Sequence, residues 1–279
     1  MKTIIATTDF TKTSMEAVRY AAALAKDMEA KLLVVHATHI PVISDAYFDM
    51  RITLEELQQD DAKSLAKLID DLHVEFGDQL KINQKLEVGF TGDVIRDVVA
   101  SGEASLVVMG IAHTDKFSEV VFGSTSTKLA GNLSCPVLII PENVKYRPWK
   151  GVAFAFDEHN IPTGTGVHIL KEIMSKFNSK LRFVHVNDNV FNENNDSVLK
   201  PLYNIFRELD IKTHFLNHSP NMTVEIIMDW VRRHKSTALV MVSRHHSLLW
   251  RMFNERTTRK IAFHSKVPVL VLSERKDSK

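Results

Sequence analysis

The sequence is poor in the features that mark secreted, membrane-spanning and disulfide-rich proteins. Its single cysteine, Cys135, excludes an internal disulfide and any metal or iron–sulfur site built from several cysteines, and favours a small buried apolar role. No run of 18 or more apolar residues occurs, so no membrane-spanning helix is predicted. The first ten residues lack the apolar core and cleavage site of a signal peptide. We therefore expect a cytoplasmic protein without a membrane partner.

Excess charge and the common catalytic motifs are also absent. Lys and Arg number 35 against 34 Asp and Glu, so the net charge of +1 creates no overall basic field for a nucleic acid, and no nucleic-acid partner is expected. The sequence contains no P-loop, no G-x-S-x-G turn and no H-E-x-x-H helix. Neighbouring His245 and His246 point in different directions in regular structure, so we predict no metal site. We expect no enzyme, with weak nucleotide hydrolysis as the most that this chain would catalyse.

The sequence contains an internal repeat, in which one pattern of residues occurs twice. Apolar runs end in an acid at Asp9 and again at Asp157, and further blocks recur in the same order. The matched blocks are LLVVHA with LRFVHV, SLVVMG with ALVMVS, and CPVLIIPE with VPVLVLSE. The length of 279 residues is comfortable for two domains. We predict domain 1 over residues 1–143 and domain 2 over residues 150–279.

Within each copy, short apolar runs alternate with longer stretches of helical period. The first helix is predicted to begin with Ser14 as its cap, and the second to bury a face that starts at Ala62. This alternation indicates an α/β fold with a parallel sheet covered on both faces. Right-handed crossovers leave a doubly wound, five-stranded, Rossmann-like sheet as the simplest arrangement for each domain. The predicted strands are 2–9, 32–37, 80–88, 106–109 and 137–140, then 151–156, 181–186, 211–216, 238–242 and 268–272.

A ligand of such a sheet binds beyond the carboxyl ends of the strands, where the strand order reverses. Gly110 closes a predicted strand and would let the backbone approach a ligand. Gly123, Ser124 and Thr125 open a predicted helix whose free N–H groups suit a phosphate, although a self-capped helix start explains them as well. Asp9 would accept hydrogen bonds from a ribose, or would serve as a cap or turn residue.

The first copy resembles the universal stress protein family over nearly its whole length. The resemblance is carried by Asp9-Phe10-Thr11, by His36-Ala37, and by a glycine motif at Gly110, Gly123 and Ser124. The motif of the family is Gly, two residues, Gly, nine residues and Gly-Ser/Thr. Tandem members with two such domains are known in the family.

The resemblance implies an adenine nucleotide alpha hydrolase-like fold and an adenine-nucleotide site in domain 1. The expected ligand is ATP, with ADP or AMP as alternatives and Mg²⁺ accompanying the nucleotide. The implied contacts are the ribose with Asp9, the adenine with Thr7 and Ala37, the ribose–phosphate side with Met109 and Gly110, and the phosphates with Gly123, Ser124 and Thr125. The implied role is that of a stress-response sensor or regulator; the alternative is a scaffold that binds no nucleotide and docks partner proteins.

Two departures from the family pattern carry predictions of their own. His113 replaces the second glycine of the motif, where its ring would narrow the phosphate pocket or donate to a phosphate when protonated. In the second copy Val242, His245 and Glu255-Arg256 replace the motif, so we predict no ATP site there.

By analogy with family dimers, we predict that residues 137–140 pair with residues 268–272 in an internal pseudo-dimer. Association of two whole chains as a homodimer is left open.

Overall fold

The structure is a computed structural model that describes residues 1–39, 53–102, 104–111, 129, 133–156, 165–187, 196–217, 223–243 and 265–273. Ten strands and six helices lie within these ranges. In chain order they are β1 (Thr3–Thr8), α1 (Lys12–Asp27), β2 (Lys31–Thr38), α2 (Leu54–Phe76), β3 (Ile82–Val88), α3 (Thr91–Ala100), β4 (Leu106–Ile111), β5 (Val137–Pro141), β6 (Gly151–Ala155), α4 (Thr165–Phe177), β7 (Lys180–Asn187), α5 (Asp196–Ile205), β8 (Asp210–Asn217), α6 (Thr223–Arg233), β9 (Ala238–Ser243) and β10 (Val269–Ser273).

All ten strands form one sheet in the order β3-β2-β1-β4-β5-β10-β9-β6-β7-β8. Each half contributes five parallel strands in the same relative order, which confirms the predicted α/β, doubly wound class. The halves meet where β5 and β10 run antiparallel, with Leu270 opposite Leu138. This junction confirms the predicted pairing of 137–140 with 268–272. The exact domain bounds, 1–143 and 150–279, stay a prediction.

Helices cover both faces of the sheet, which explains why its central strands are continuous apolar runs. All six residues of β1 and all five of β5 are buried. One face packs against apolar residues of α1, α2, α4 and α5, and the other against residues of α3 and α6. When helices cover both faces of a parallel strand, apolar side chains on either face stabilise the fold by being buried. The sequence of such a strand therefore does not alternate between apolar and polar residues.

Helix α1 begins three residues earlier than the sequence predicts. Its N-cap is Thr11, whose hydroxyl accepts a hydrogen bond from the Ser14 amide at 3.3 Å. Ser14 lies inside the first turn and donates its own hydroxyl to the Thr11 carbonyl at 3.0 Å. Thr11 has extended backbone angles and so suits a cap, whereas Ser14 is buried against β1. The prediction of Ser14 as the cap is therefore wrong.

Helix α2 starts with a capping box formed by Thr53 and Glu56. Its buried residues are Leu65, Leu68 and Leu72, whereas the predicted face began at Ala62, which is exposed. The helices predicted over 124–132 and 256–264 lie outside the described residues, apart from Leu129.

The segment between the halves is anchored by Trp149, which is fully buried. Its indole N–H donates to the Tyr20 hydroxyl on α1 at 2.8 Å, and the Ser179 hydroxyl donates to its carbonyl. Burial raises the pKa of Tyr20, and the hydrogen bond from Trp149 offsets part of that rise. Trp149 therefore connects the amino-terminal helix to the start of the second sheet half.

Candidate functional site

A notch opens in the sheet at the carboxyl end of β1. Strand β2 continues through Ala37 and Thr38 beyond Thr8 and His36, the last pair that it forms with β1. Strand β4 continues from Met109 to Ile111 beyond its last recorded pair with β1, and there it pairs with β5 alone. The strand order reverses at β1, which has β2 on one side and β4 on the other. The notch therefore occupies the position where open parallel sheets bind ligands.

Asp9 is exposed at this notch, directly after β1. Its Oδ1 accepts hydrogen bonds from the Thr11 amide at 3.1 Å and from the Thr11 hydroxyl at 2.6 Å. Partial burial acts to raise the pKa of Asp9, but hydrogen bonds with Ser14 and Thr11 together lower it below its usual value. The carboxylate is thus ionised at neutral pH, and it holds the turn that leads into α1.

Behind Asp9 lies a buried polar cluster centred on His36. Its Nδ1 is 2.8 Å from the Thr8 carbonyl oxygen, and its Nε2 is 3.1 Å from Oδ2 of Asp61 on α2. The hydroxyl of Thr38 also donates to Asp61 Oδ2, at 2.7 Å. Because a carbonyl and a carboxylate only accept hydrogen bonds, a ring nitrogen of His36 that carries a hydrogen is the donor in its contact. The cluster connects the end of β1 to α2 beside the notch.

Phe10 covers this cluster in an uncommon backbone conformation. Its φ is 60°, and its ring lies 4.3 Å from the His36 ring, centroid to centroid. A left-handed conformation costs a residue with a side chain about 1 kcal/mol. The Phe10 amide offsets part of that cost by donating to the Thr8 hydroxyl at 3.0 Å.

Sequence reasoning missed Asp61. The one signal available was its place in α2, a single turn before the buried Leu65, where a carboxylate interrupts the apolar face. Its partner His36 was expected at this end of the sheet from its place near the end of the second predicted strand, and also from the family resemblance.

Three further residues that the sequence predicts at the site, Thr7, Ala37 and Met109, lie below the notch. Thr7, Ala37 and Met109 are buried, with 6%, 4% and 3% of their surfaces exposed. Ala37 and Met109 belong to the apolar cluster on the face covered by α3, and strand alternation places Thr7 on the same face as Ile5. Their side chains are therefore part of the packed core below the notch, and their contacts with a ligand stay a prediction.

Gly110 has a structural reason to lack a side chain. A Cβ added there would lie 2.8 Å from the Thr13 carbonyl oxygen and 3.2 Å from the Ser14 Cα. The first turn of α1 therefore packs directly against the strand. The close approach that the structure shows at Gly110 is to α1, whereas the predicted approach to a ligand stays a prediction.

We expect Gly110→Ala to lower the free energy of unfolding by about 1–3 kcal/mol, because the added methyl overpacks the contact with α1. Denaturant unfolding of the full chain measures this loss. Gly151→Ala is the matched control, since a Cβ at that strand glycine meets nothing within 4 Å. Equal stability of the two variants would contradict the assignment of Gly110 to helix packing.

Several predicted residues lie outside the described part of the chain. They are His113, Gly123, Ser124, Thr125, Asp157, His245, Glu255 and Arg256, so the predicted phosphate contacts stay a prediction. Val242, the counterpart of the first motif glycine, is a buried residue of β9. Cys135 is buried as expected, and burial raises the pKa of its thiol to about 12.

Two kinds of feature are not found among the described residues. No group of three or more His, Cys, Asp or Glu side chains within them is placed to hold a metal ion. None of their helices is both long enough and apolar enough to cross a bilayer.

Comparison with known proteins assigns the chain to a family. The family model described as the universal stress protein family matches residues 1–141. A universal stress protein of Methanocaldococcus jannaschii is 23% identical over 145 residues, which cover 52% of this chain and 84% of that protein.

Two solved structures share the fold over nearly the whole chain. A universal stress protein from Archaeoglobus fulgidus matches with a TM-score of 0.71 and 17% identity over 97% of this chain and 98% of its own. A functionally unknown Pseudomonas aeruginosa protein matches with a TM-score of 0.55 and 13% identity over 97% and 92%. The match of the family model to half of the chain shows that this protein belongs to the universal stress protein family.

Proposed function

We propose that the amino-terminal half binds one adenine nucleotide in the notch at the end of β1, with ATP as the ligand and ADP or AMP as alternatives. The observation that carries the proposal is the notch itself. It lies at the reversal of strand order, between the extensions of β2 and β4, and an ionised, exposed carboxylate stands at its mouth. Membership of the universal stress protein family supports the same site.

In this proposal each described residue has a defined contact. Asp9 accepts hydrogen bonds from the ribose hydroxyls, because a carboxylate has acceptor capacity beyond the two bonds from Thr11. The backbone of Ala37 meets the adenine above the floor formed by Thr7, and the backbone of Met109 and Gly110 lines the ribose–phosphate side. In the same proposal Gly123, Ser124 and Thr125 would receive the phosphates, with accompanying Mg²⁺, and His113 would narrow the phosphate pocket or donate to a phosphate.

We propose a sensor or regulator of the stress response rather than an efficient hydrolase. The two groups described at the notch that could act as a general base, His36 and Asp9, are both poorly suited to activate water. Both ring nitrogens of His36 are engaged with Thr8 and Asp61, so neither is free to take a proton from water. The lowered pKa of Asp9 makes its carboxylate a weak general base.

Titration of the full chain with ATP tests the proposal. We expect about one site per chain, and Asp9→Asn, which keeps the oxygen that holds Thr11, is expected to weaken binding about 10- to 100-fold, as for loss of a hydrogen bond to a charged group. Asp157→Asn is the matched control, because that aspartate ends the corresponding run of the second copy and we predict no ATP site there.

The other outcomes identify what replaces the proposal. Two sites per chain would show that the second half binds ATP as well, and an equal loss in Asp157→Asn would contradict a site confined to the first half. Absence of binding to ATP, ADP and AMP would favour the scaffold that docks partner proteins.

A further inference from the structure

A row of lysines lies at the amino-terminal ends of the first three strands, at the end of the sheet opposite to the notch. Lys2 precedes β1, Lys31 begins β2 and Lys81 precedes β3. The Lys31 amide donates to the Lys2 carbonyl at 3.0 Å, and the Leu32 amide donates to the Lys81 carbonyl at 2.9 Å. Because parallel strands lie about 4.8 Å apart, the three backbone positions fall within about 10 Å of one another. Three exposed cationic side chains therefore start from one short line.

This row borders a cleft of about 640 Å³ at the amino ends of the strands. Among the described residues that line the cleft, Glu29 is the one with a carboxylate, and it is paired with Lys176 at 3.0 Å. The Met1 ammonium is paired with Glu172 at 2.6 Å, and the Lys26 ammonium donates to the Phe76 carbonyl at 2.9 Å.

The three ammonium groups of the row differ from these paired groups. Those of Lys2, Lys31 and Lys81 have no carboxylate partner and no hydrogen-bond acceptor within the described ranges. The cleft thus holds three positive charges that the described residues leave uncompensated.

The second half shows that the fold does not require this row. Its corresponding strand starts carry Lys150, Lys180 and Asp210, and Asp210 lies opposite Lys180 in the register of β7 and β8. The Lys150 ammonium donates to the Phe177 carbonyl at 2.8 Å, and Asp210 pairs with Arg182 at 3.2 Å. The second half therefore keeps two of the three lysines, replaces the third by an acid and pairs Lys150 and Asp210 locally, whereas the first half has a lysine at all three positions.

We propose that the lysine-lined cleft of the first half binds a short inorganic polyphosphate chain. A line of cations fits a linear polyanion, and lysine binds phosphate as a point charge. The volume falls in the range of small-molecule sites. The lining residues include no aromatic side chain on which a base could stack, which favours a bare phosphate chain over a nucleotide or single-stranded nucleic acid.

The test is calorimetric titration of the full chain with sodium tripolyphosphate. We expect binding that weakens as salt rises, because these charges are exposed. Lys31→Gln and Lys81→Gln should each weaken it about two- to fivefold, the usual effect of one exposed charge pair. The charge-reversed double variant K31E/K81E should bind no tripolyphosphate. Lys180→Glu is the matched control, since it reverses a charge at the corresponding strand start of the second half, and its affinity should stay unchanged.

Other results overturn the inference. Absence of tripolyphosphate binding by the unmodified chain, or an equal loss in Lys180→Glu, would show that the row is no site. Loss of tripolyphosphate binding in Gly123→Glu, which adds a negative charge at the proposed phosphate contacts, would place the anion in the notch. Failure of ATP binding alone leaves the inference about the cleft unaffected. An oligonucleotide that binds more tightly than tripolyphosphate and competes with it would make nucleic acid the partner. Thermal midpoints of all variants confirm folding, and the Gln variants decide if a charge reversal unfolds the chain.

Discussion

Replacing Trp149 with alanine is expected to lower the free energy of unfolding by about 3–5 kcal/mol, as for other fully buried large aromatics. Trp149 is 0% exposed and has the greatest volume of the fully buried side chains among the described residues. Truncation removes its apolar contacts and leaves a cavity. It also leaves the Tyr20 hydroxyl, which accepts the indole N–H at 2.8 Å, without that donor in a buried position.

Two further variants separate the parts of this effect. Trp149→Phe retains most of the ring and removes the N–H donor, so it should cost about 1–3 kcal/mol. Val74→Ala changes a side chain that is 89% exposed and should stay within about 0.5 kcal/mol of the unmodified protein. Denaturant unfolding measures all three. A Trp149→Ala variant as stable as Val74→Ala would show that the connecting segment does not hold the halves together.

The second large effect is expected at the centre of the sheet, where Leu138→Asp should destabilise the protein by more than about 4 kcal/mol. Leu138 and its partner Leu270 are both fully buried at the only antiparallel pairing among the described strands. A carboxylate at this position has no cation among its recorded strand partners, Leu270 and Val108. An unpaired buried charge is among the costliest substitutions known.

The measurement for Leu138→Asp is denaturant unfolding combined with limited proteolysis of the connecting segment, residues 142–150. Loosening of the junction should expose this segment to protease before either half unfolds. Leu138→Met, a swap of similar volume, should cost less than about 1.5 kcal/mol and keep the segment protected. Native stability in Leu138→Asp would refute a junction built on β5 and β10.

The success of the fold prediction has a local physical cause. Strands such as β1 and β5 are buried on both faces, so their apolar runs stand out from the helical period of α1 and α2. The start of α1 was mispredicted because Thr11 and Ser14 are both competent caps three residues apart. Their reciprocal hydrogen bonds, which assign the cap to Thr11, exist only in the folded turn.

The candidate site likewise combines features that the sequence predicted with contacts that it could not reveal. Asp9 follows a recognisable strand, so its place at the carboxyl ends of the strands was predictable. Asp61 reaches His36 from a helix 25 positions away in the chain, and no local pattern encodes that contact. The sequence did not show that α1 packs against Gly110, and the predicted contact of Gly110 with a ligand stays a prediction.

By itself, the sequence determined the two repeats, the strands and helices within them and the exposed acid that follows the first strand, because each depends on residues close together in the chain. The tertiary structure alone decided that His36 meets Asp61, that Trp149 reaches Tyr20, and that three lysines from separate strand starts stand side by side. These contacts join residues far apart in sequence, and only the register of the strands and the packing of the helices brings them together.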